Sequence, residues 1–183
     1  MLEVSNMVII GGNSRNAGKT TLACRIISRF STNSEVIGLK VTCIRPDDDL
    51  FHGRHEEKHD SGFTISEELN AGTHKDTSKM LNAGALKVYF IRVEESFMEQ
   101  AILQFMSRYI NNQLIVCESR SLQAILQPGL FLMMIRADAD SPKDISAYYD
   151  KADRVFYYGD DQSAISQYVE GLNFENGTIK IAN

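Results

Sequence analysis

Apolar and polar positions follow two rhythms along this chain. Six short runs, Val4–Gly11, Val36–Thr42, Leu86–Arg92, Leu114–Glu118, Leu130–Arg136 and Arg154–Tyr158, are of strand length and rich in aliphatic residues, the pattern of strands covered on both faces. Longer stretches between them repeat apolar residues every three to four positions. Thr20–Phe30 places Leu22, Ala23, Ile26, Ile27 and Phe30 on one helical face, and Glu95–Ile110 does the same with Phe97, Ala101, Phe105 and Tyr109, as helices packed on a sheet do. Alternation of the two rhythms predicts an α/β fold of three layers, a mostly parallel central sheet flanked by helices. Near the end, Asn176-Gly177 between short alternating runs in Asn173–Ile181 predicts a hairpin.

Arg45–Gly72, which contains "RPDDDLFHGRHEEKHDSGF", breaks this rhythm. Its charge and scarcity of core residues are expected of a lid, a mobile excursion or a disordered insertion. His52, His55 and His59 are spaced three and four apart, a spacing that can bind a transition metal on a helix. Gly53 and the surrounding charges weaken that helix, so a lid or partner surface is the alternative. The run Phe131-Leu132-Met133-Met134-Ile135 reads as a buried strand rather than a methionine-rich binding surface.

Length and composition narrow the classes. A chain of 183 residues fits one domain with a core that needs no disulfide or metal. A formal charge of -5 supplies no general attraction to nucleic acid, which is excluded as first partner. Cys24, Cys43 and Cys117 are odd in number and widely spaced, so reduced, packed thiols are expected. With no basic leader and no apolar run near membrane-spanning length, the expectation is a cytoplasmic protein without a membrane partner.

The candidate chemistry lies in "GGNSRNAGKTT", Gly11 to Thr21, between the first strand and the first helix. A phosphate-binding loop has the form G-x-x-x-x-G-K-[ST], and here Asn13 stands at the first glycine's place. Gly18-Lys19-Thr20 retains the remaining parts: backbone N–H groups at a helix start for phosphate, a lysine for the β/γ-phosphates and a hydroxyl for Mg²⁺. Asparagine tolerates the left-handed region, so a turn at Asn13 is expected, with Asn13, Ser14, Arg15, Asn16, Ala17, Gly18, Lys19, Thr20 and Thr21 around the phosphates. Such a loop also needs an acidic group at a neighbouring strand end. Glu118 in "QLIVCES" is that candidate, beside the plain alternative of a glutamate that ends a strand. Asp76 opens the helical stretch Thr73–Ala85, where a carboxylate also suits the helix dipole.

The loop, "VIGLK" ending at Lys40, "GTHKDTSKMLNAGA" at Gly72–Ala85 and "LIVCES" occur in an order that resembles the molybdopterin-guanine dinucleotide biosynthesis adaptors, P-loop GTPases of molybdenum cofactor maturation. In that family a lysine ends the second strand, a Lys-Asp-Ser segment opens a helix closing on Ala-Gly-Ala, and Val-Glu-Gly ends a later strand. Here Lys40, Lys75-Asp76-Thr77, Ala83-Gly84-Ala85 and Cys117-Glu118-Ser119 match those places. The family's histidine-rich segment is replaced by Val41-Thr42-Cys43, and serine follows Glu118. The resemblance implies a P-loop fold, a nucleoside triphosphate with Mg²⁺, and Asp76 and Glu118 near the metal and phosphates.

Together these features lead us to expect slow Mg²⁺-dependent hydrolysis of ATP or GTP. Lys19, Asp76 and Glu118 would carry the chemistry, Thr20 and Glu118 the metal, and Lys40 would line the crevice. A small-molecule kinase or ligase with an acceptor beneath the excursion is a rival on the same fold, as is a non-catalytic adaptor for a partner enzyme. A homodimer is compatible with all three.

Overall fold

The computed structural model describes residues 1–44, 62–110, 112–140 and 144–182. Among them are β1 (Leu2–Gly12), α1 (Lys19–Phe30), β2 (Val36–Ile44), β3 (Phe63–Glu67), α2 (Asp76–Asn82), β4 (Lys87–Glu94), α3 (Met98–Tyr109), β5 (Leu114–Glu118), β6 (Leu126–Ile135), α4 (Ser146–Tyr149), β7 (Arg154–Tyr157), α5 (Gln162–Glu170), β8 (Leu172–Glu175) and β9 (Thr178–Ile181). Single 3₁₀ turns at Glu95–Phe97 and Ser121–Ala124 precede α3 and β6.

β1 to β7 form one sheet in the order β3-β4-β2-β5-β1-β6-β7. Every pairing is parallel except β3 with β4. The fold is therefore α/β with a mostly parallel seven-stranded sheet, compatible with a three-layer arrangement. Side chains alternate across a strand, and β1 shows the consequence. Val8 and Ile10 join a cluster with Leu22, Ile26 and Ile27 of α1, Met80 of α2 and Ile165 and Val169 of α5. Met7 and Ile9 join the opposite cluster with Met98, Ala101, Ile102 and Phe105 of α3. Apolar residues on both sides of each central strand are what make the runs look continuous rather than alternating.

The apolar faces of the two long helices are where periodicity places them, with Leu22, Ala23, Ile26, Ile27 and Phe30 all buried in α1 and Ala101 and Phe105 buried in α3. The side chain of Tyr109 lies outside the described residues. β1 and β6 extend beyond their aliphatic runs, pairing Leu2 with Leu126 across an irregularity between Val4 and Val8. The β8–β9 hairpin turns through Asn176 and Gly177, both at positive φ, the conformation a two-residue turn demands.

The segment expected to be poor in core residues needs correction over its last third. β3 lies within it and adds an antiparallel edge strand to β4, with Phe63 buried and Ile65 packed against the α3-side cluster. Only these two apolar residues alternate, and Glu67 and Glu68 follow them, so the period-two signal is too short to stand out from the charge around it. Residues 45–61, with His52, His55 and His59, lie outside the described set. The edge strand makes a direct prediction: Phe63→Ala should destabilise the protein by roughly 3 kcal/mol, the lower end for removal of a core phenylalanine. Chemical denaturation with an unchanged midpoint would show that β3 adds nothing to the fold.

Candidate functional site

Parallel pairing brings the C-terminal ends of the central strands to one edge. In register, Glu118 of β5 lies between Ile10 of β1 and Lys40 of β2. Neighbours in register share a face, and Glu118 follows Val116, which packs in the α1-side cluster. Lys40 and Glu118 therefore emerge beneath the start of α1. There the Thr20 hydroxyl donates to Glu118 Oε2 at 2.7 Å, and Lys40 Nζ lies 3.4 Å from Glu118 Oε1. Lys40 also donates to Asp76 Oδ2 at the start of α2, and Lys79 lies 3.4 Å from Asp76 Oδ1. Hydroxyl, two carboxylates and two ammonium groups thus form one continuous chain across four elements.

The loop between β1 and α1 is shaped by two missing side chains. A Cβ on Gly12 would lie 2.7 Å from the Met134 carbonyl oxygen and 2.9 Å from Lys19 Cδ, so glycine there admits the stem of Lys19. Lys19 Nζ folds back over the loop to donate to the Ser14 carbonyl at 2.6 Å. Gly18 adopts φ 93° as the N-cap of α1, and no side chain caps that helix start. Its first backbone N–H groups keep the partial positive charge that favours an anion. Within the same loop, Ser14 Oγ is shielded from solvent without a hydrogen-bond partner, a condition that costs a buried polar group about 1–3 kcal/mol.

Asn13 departs from the expected turn. Positive φ falls instead at Asn16 (58°) and Gly18. The Asn13 side chain acts as a clamp: Nδ2 donates to the Arg136 carbonyl at 2.9 Å and Oδ1 accepts from the Arg136 N–H at 2.9 Å. An amide is the side chain that can satisfy both backbone groups at once. The residue that breaks the loop pattern therefore ties the loop to the end of β6, while clearance for the Lys19 stem comes from Gly12, one place earlier.

The predicted residues do not all converge. Ala17 is buried beneath the loop, whereas Arg15 and Asn16 are exposed at its tip and Thr21 is exposed on α1. Lys19, Thr20, Lys40, Asp76 and Glu118 are those the fold gathers with the loop. Asp76 stands in the first turn of α2, as expected, and the N-cap Lys75 makes no side-chain cap bond; the Asp76 carboxylate is directed to the lysines. Burial pushes the Asp76 carboxyl up, but the hydrogen bond and charge of Lys40, aided by Lys79, outweigh it and hold the group below the usual aspartate range. Lys79 was not foreseen, although its i, i+3 spacing from Asp76 is visible in the sequence. Burial raises the Cys24 thiol to about 11 and the Cys117 thiol well above its ordinary value, so both stay protonated and unreactive near neutral pH.

Oxygen donors of this kind suit Mg²⁺, which takes one or two carboxylates and fills the rest of its shell with phosphate and water. The 2.7 Å contact of Thr20 with Glu118 supplies such a pair beside the uncapped helix start. Among the described residues no group of three or more His, Cys, Asp or Glu gathers to hold a metal. No helix among them is long and apolar enough to cross a membrane. The chain matches no protein-family profile, no curated protein and no solved structure.

Two predictions follow from the clamp and the charge chain. Asn13→Gly restores the usual loop glycine yet removes both bonds to Arg136, so the free protein should lose roughly 1–3 kcal/mol; parent-like urea denaturation would show that the clamp contributes nothing. The Asp76 carboxyl titrates lower in the folded than in the unfolded chain. Its stabilisation is therefore complete above the ordinary carboxylate value of about 4 and is lost as pH falls through the folded value. Denaturation midpoints of Asp76→Asn should decline less steeply with acid below that pH than those of the parent.

Proposed function

We propose that this chain is a P-loop nucleoside triphosphate-binding protein that hydrolyses ATP or GTP slowly with Mg²⁺. The observation that carries the reading is the contact of Thr20 with Glu118 across 98 positions of sequence, made directly beside a glycine-shaped loop and an uncapped helix start. Three parts that a phosphate site requires are thus adjacent although only two are neighbours in sequence.

The chain's own groups have distinct tasks in this reading. Backbone N–H groups from the loop and the first turn of α1 receive phosphate oxygens. Lys19 exchanges the Ser14 carbonyl for the β/γ-phosphates, where a charge-assisted bond is stronger than the neutral one it leaves. The Ser14 hydroxyl gains an acceptor. Thr20 and Glu118 would hold Mg²⁺, which when bound offsets charge on the transferring phosphoryl group. Lys40 bridges Asp76 and Glu118 and orients both at the same edge, so that Asp76 can accept a hydrogen bond from an attacking hydroxyl or water. The molybdenum-cofactor role implied by the resemblance is one setting for such an activity.

A groove of about 680 Å³ favours phosphotransfer as the second reading. It borders Thr20 and Lys79 and runs along Cys24, Arg25 and Ser28 of α1, which leaves room for an acceptor next to the charge chain. A hydrolase releases phosphate from nucleotide alone, whereas a kinase turns over when an acceptor is added.

Saturating nucleotide with Mg²⁺ at about 100 times its dissociation constant should stabilise the protein by roughly 2.7 kcal/mol. Lys19→Ala should weaken triphosphate binding by roughly 1.5–3 kcal/mol, the range for hydrogen bonds to charged groups. Glu118→Gln should reduce the Mg²⁺-dependent part of that binding while sparing diphosphate affinity without metal. Calorimetry in which Lys19→Ala binds triphosphate like the parent would overturn the assignment.

A further inference from the structure

Beside the start of α1 a second recess, of about 280 Å³, opens toward β7 and α5. Its floor is apolar: Leu22, Met134 and Ile165 are each buried to within a few per cent. Its rim carries the Thr21 hydroxyl, the ring of Tyr158 and the Gln162 amide, whose Oε1 accepts from the Arg25 guanidinium, also at the rim. Gly18, the cap of α1, belongs to its wall as well as to the loop. A Cβ on Gly18 would lie 2.9 Å from Met134 Cε and 3.9 Å from Tyr158 Cδ2, so loop, floor and aromatic rim converge within a few ångströms. A molecule with phosphates on the loop has this recess within reach of its other end.

We propose that the recess bounded by Gly18, Met134 and Tyr158 holds the heterocyclic base of the nucleotide, with Tyr158 as the aromatic surface against which the base packs. This deepens the nucleotide reading and rests on it. Mostly apolar walls with a few polar groups at the rim are what a planar heterocycle requires, and the volume accommodates a ring system while leaving the triphosphate outside on the loop. The 680 Å³ groove beside it shares Arg25 with the recess and adds Arg29, Lys79 and Glu170, a lining for a charged ligand rather than a base.

Tyr158 is 55% exposed, yet its ring is not left to itself. The Arg136 guanidinium lies 4.8 Å from the ring centroid, and Asp138 holds that guanidinium at 2.8 and 3.2 Å. The Arg136 backbone is in turn clamped by Asn13. One chain of contacts thus runs from the phosphate loop through Asn13 and Arg136 to Tyr158. In the proposed complex this chain sets the distance between phosphate and base subsites, which gives the departure of Asn13 from the loop pattern a role in recognition. The Tyr158 N–H donates to the Ile135 carbonyl at 2.6 Å, which ties the Tyr158 backbone to the end of β6.

The test compares inorganic tripolyphosphate with ATP and GTP, each with Mg²⁺, by calorimetry on the parent, Tyr158→Ala and Tyr158→Phe. Base–aromatic packing predicts that the parent binds at least one nucleoside triphosphate roughly tenfold or more tightly than tripolyphosphate. Tyr158→Ala should lose most of that preference without change in tripolyphosphate affinity, and Tyr158→Phe should keep it. Equal parent affinities for tripolyphosphate and both nucleotides would overturn the base site while leaving the phosphate site standing, as would a preference that survives Tyr158→Ala. Absence of binding by all three ligands would remove the nucleotide reading and the base site with it.

Discussion

The placement of β5 between β1 and β2 is the constraint on which the rest depends. All five of its residues are buried, and its parallel registers set Glu118 against Ile10 on one side and Lys40 on the other. A slip of one residue would turn every side chain of β5 to the opposite face, removing Glu118 from Thr20 and exchanging the partners of Val116 and Cys117 across the sheet. Core packing and site geometry are therefore secured by the same register. The apolar residues of β5 leave little freedom for an alternative, since both of its faces are covered.

Upon that register stands an electrostatic arrangement that is only partly withdrawn from water. The Glu118 side chain is 8% exposed, whereas those of Lys40 and Asp76 are 23% and 34% exposed. A buried carboxylate needs hydrogen-bonded partners of opposite charge, and Glu118 receives both the Thr20 hydroxyl and Lys40. Lys40 shares itself between two carboxylates and so offsets their mutual repulsion. A divalent cation arriving with phosphates would meet groups already held in place, with less side-chain freedom left to lose on binding. Partial exposure also keeps the site accessible, which a fully buried charge network would not.

The loop separates two tasks that its usual pattern combines. Space for the lysine stem comes from Gly12, at a place where any side chain would collide with Met134 and Lys19. Attachment to the neighbouring strand comes from Asn13 through two bonds to the backbone of Arg136, the residue that follows β6. A single glycine at Asn13 could provide neither the amide nor the clearance at Gly12. The Asn13 clamp also brings the end of β6, and with it Arg136 and Tyr158, into a fixed relation to the helix start.

Periodicity by itself determined the class of fold, because continuous aliphatic runs and 3.6-residue stripes have few mutually compatible packings. The strands that carry Lys40 and Glu118, the buried faces of α1 and α3, and the turn at Asn176-Gly177 were all legible, each written in local spacing, although β2 continues past Lys40 to Ile44. The place of Gly18-Lys19-Thr20 at the start of α1 was legible for the same reason, since strand, loop and helix start are contiguous. What tertiary structure decided was everything that depends on partners distant in sequence. The role of Asn13 required Arg136, 123 positions away; the attachment of Asp76 required Lys40 on another element; the recess at Tyr158 required α1, β6, β7 and α5 together. β3 escaped notice because an edge strand has one partner and two inward residues, too little to write a period. Local pattern specifies which elements form, but the chemistry of their shared edge arises only when the parallel register places their ends side by side.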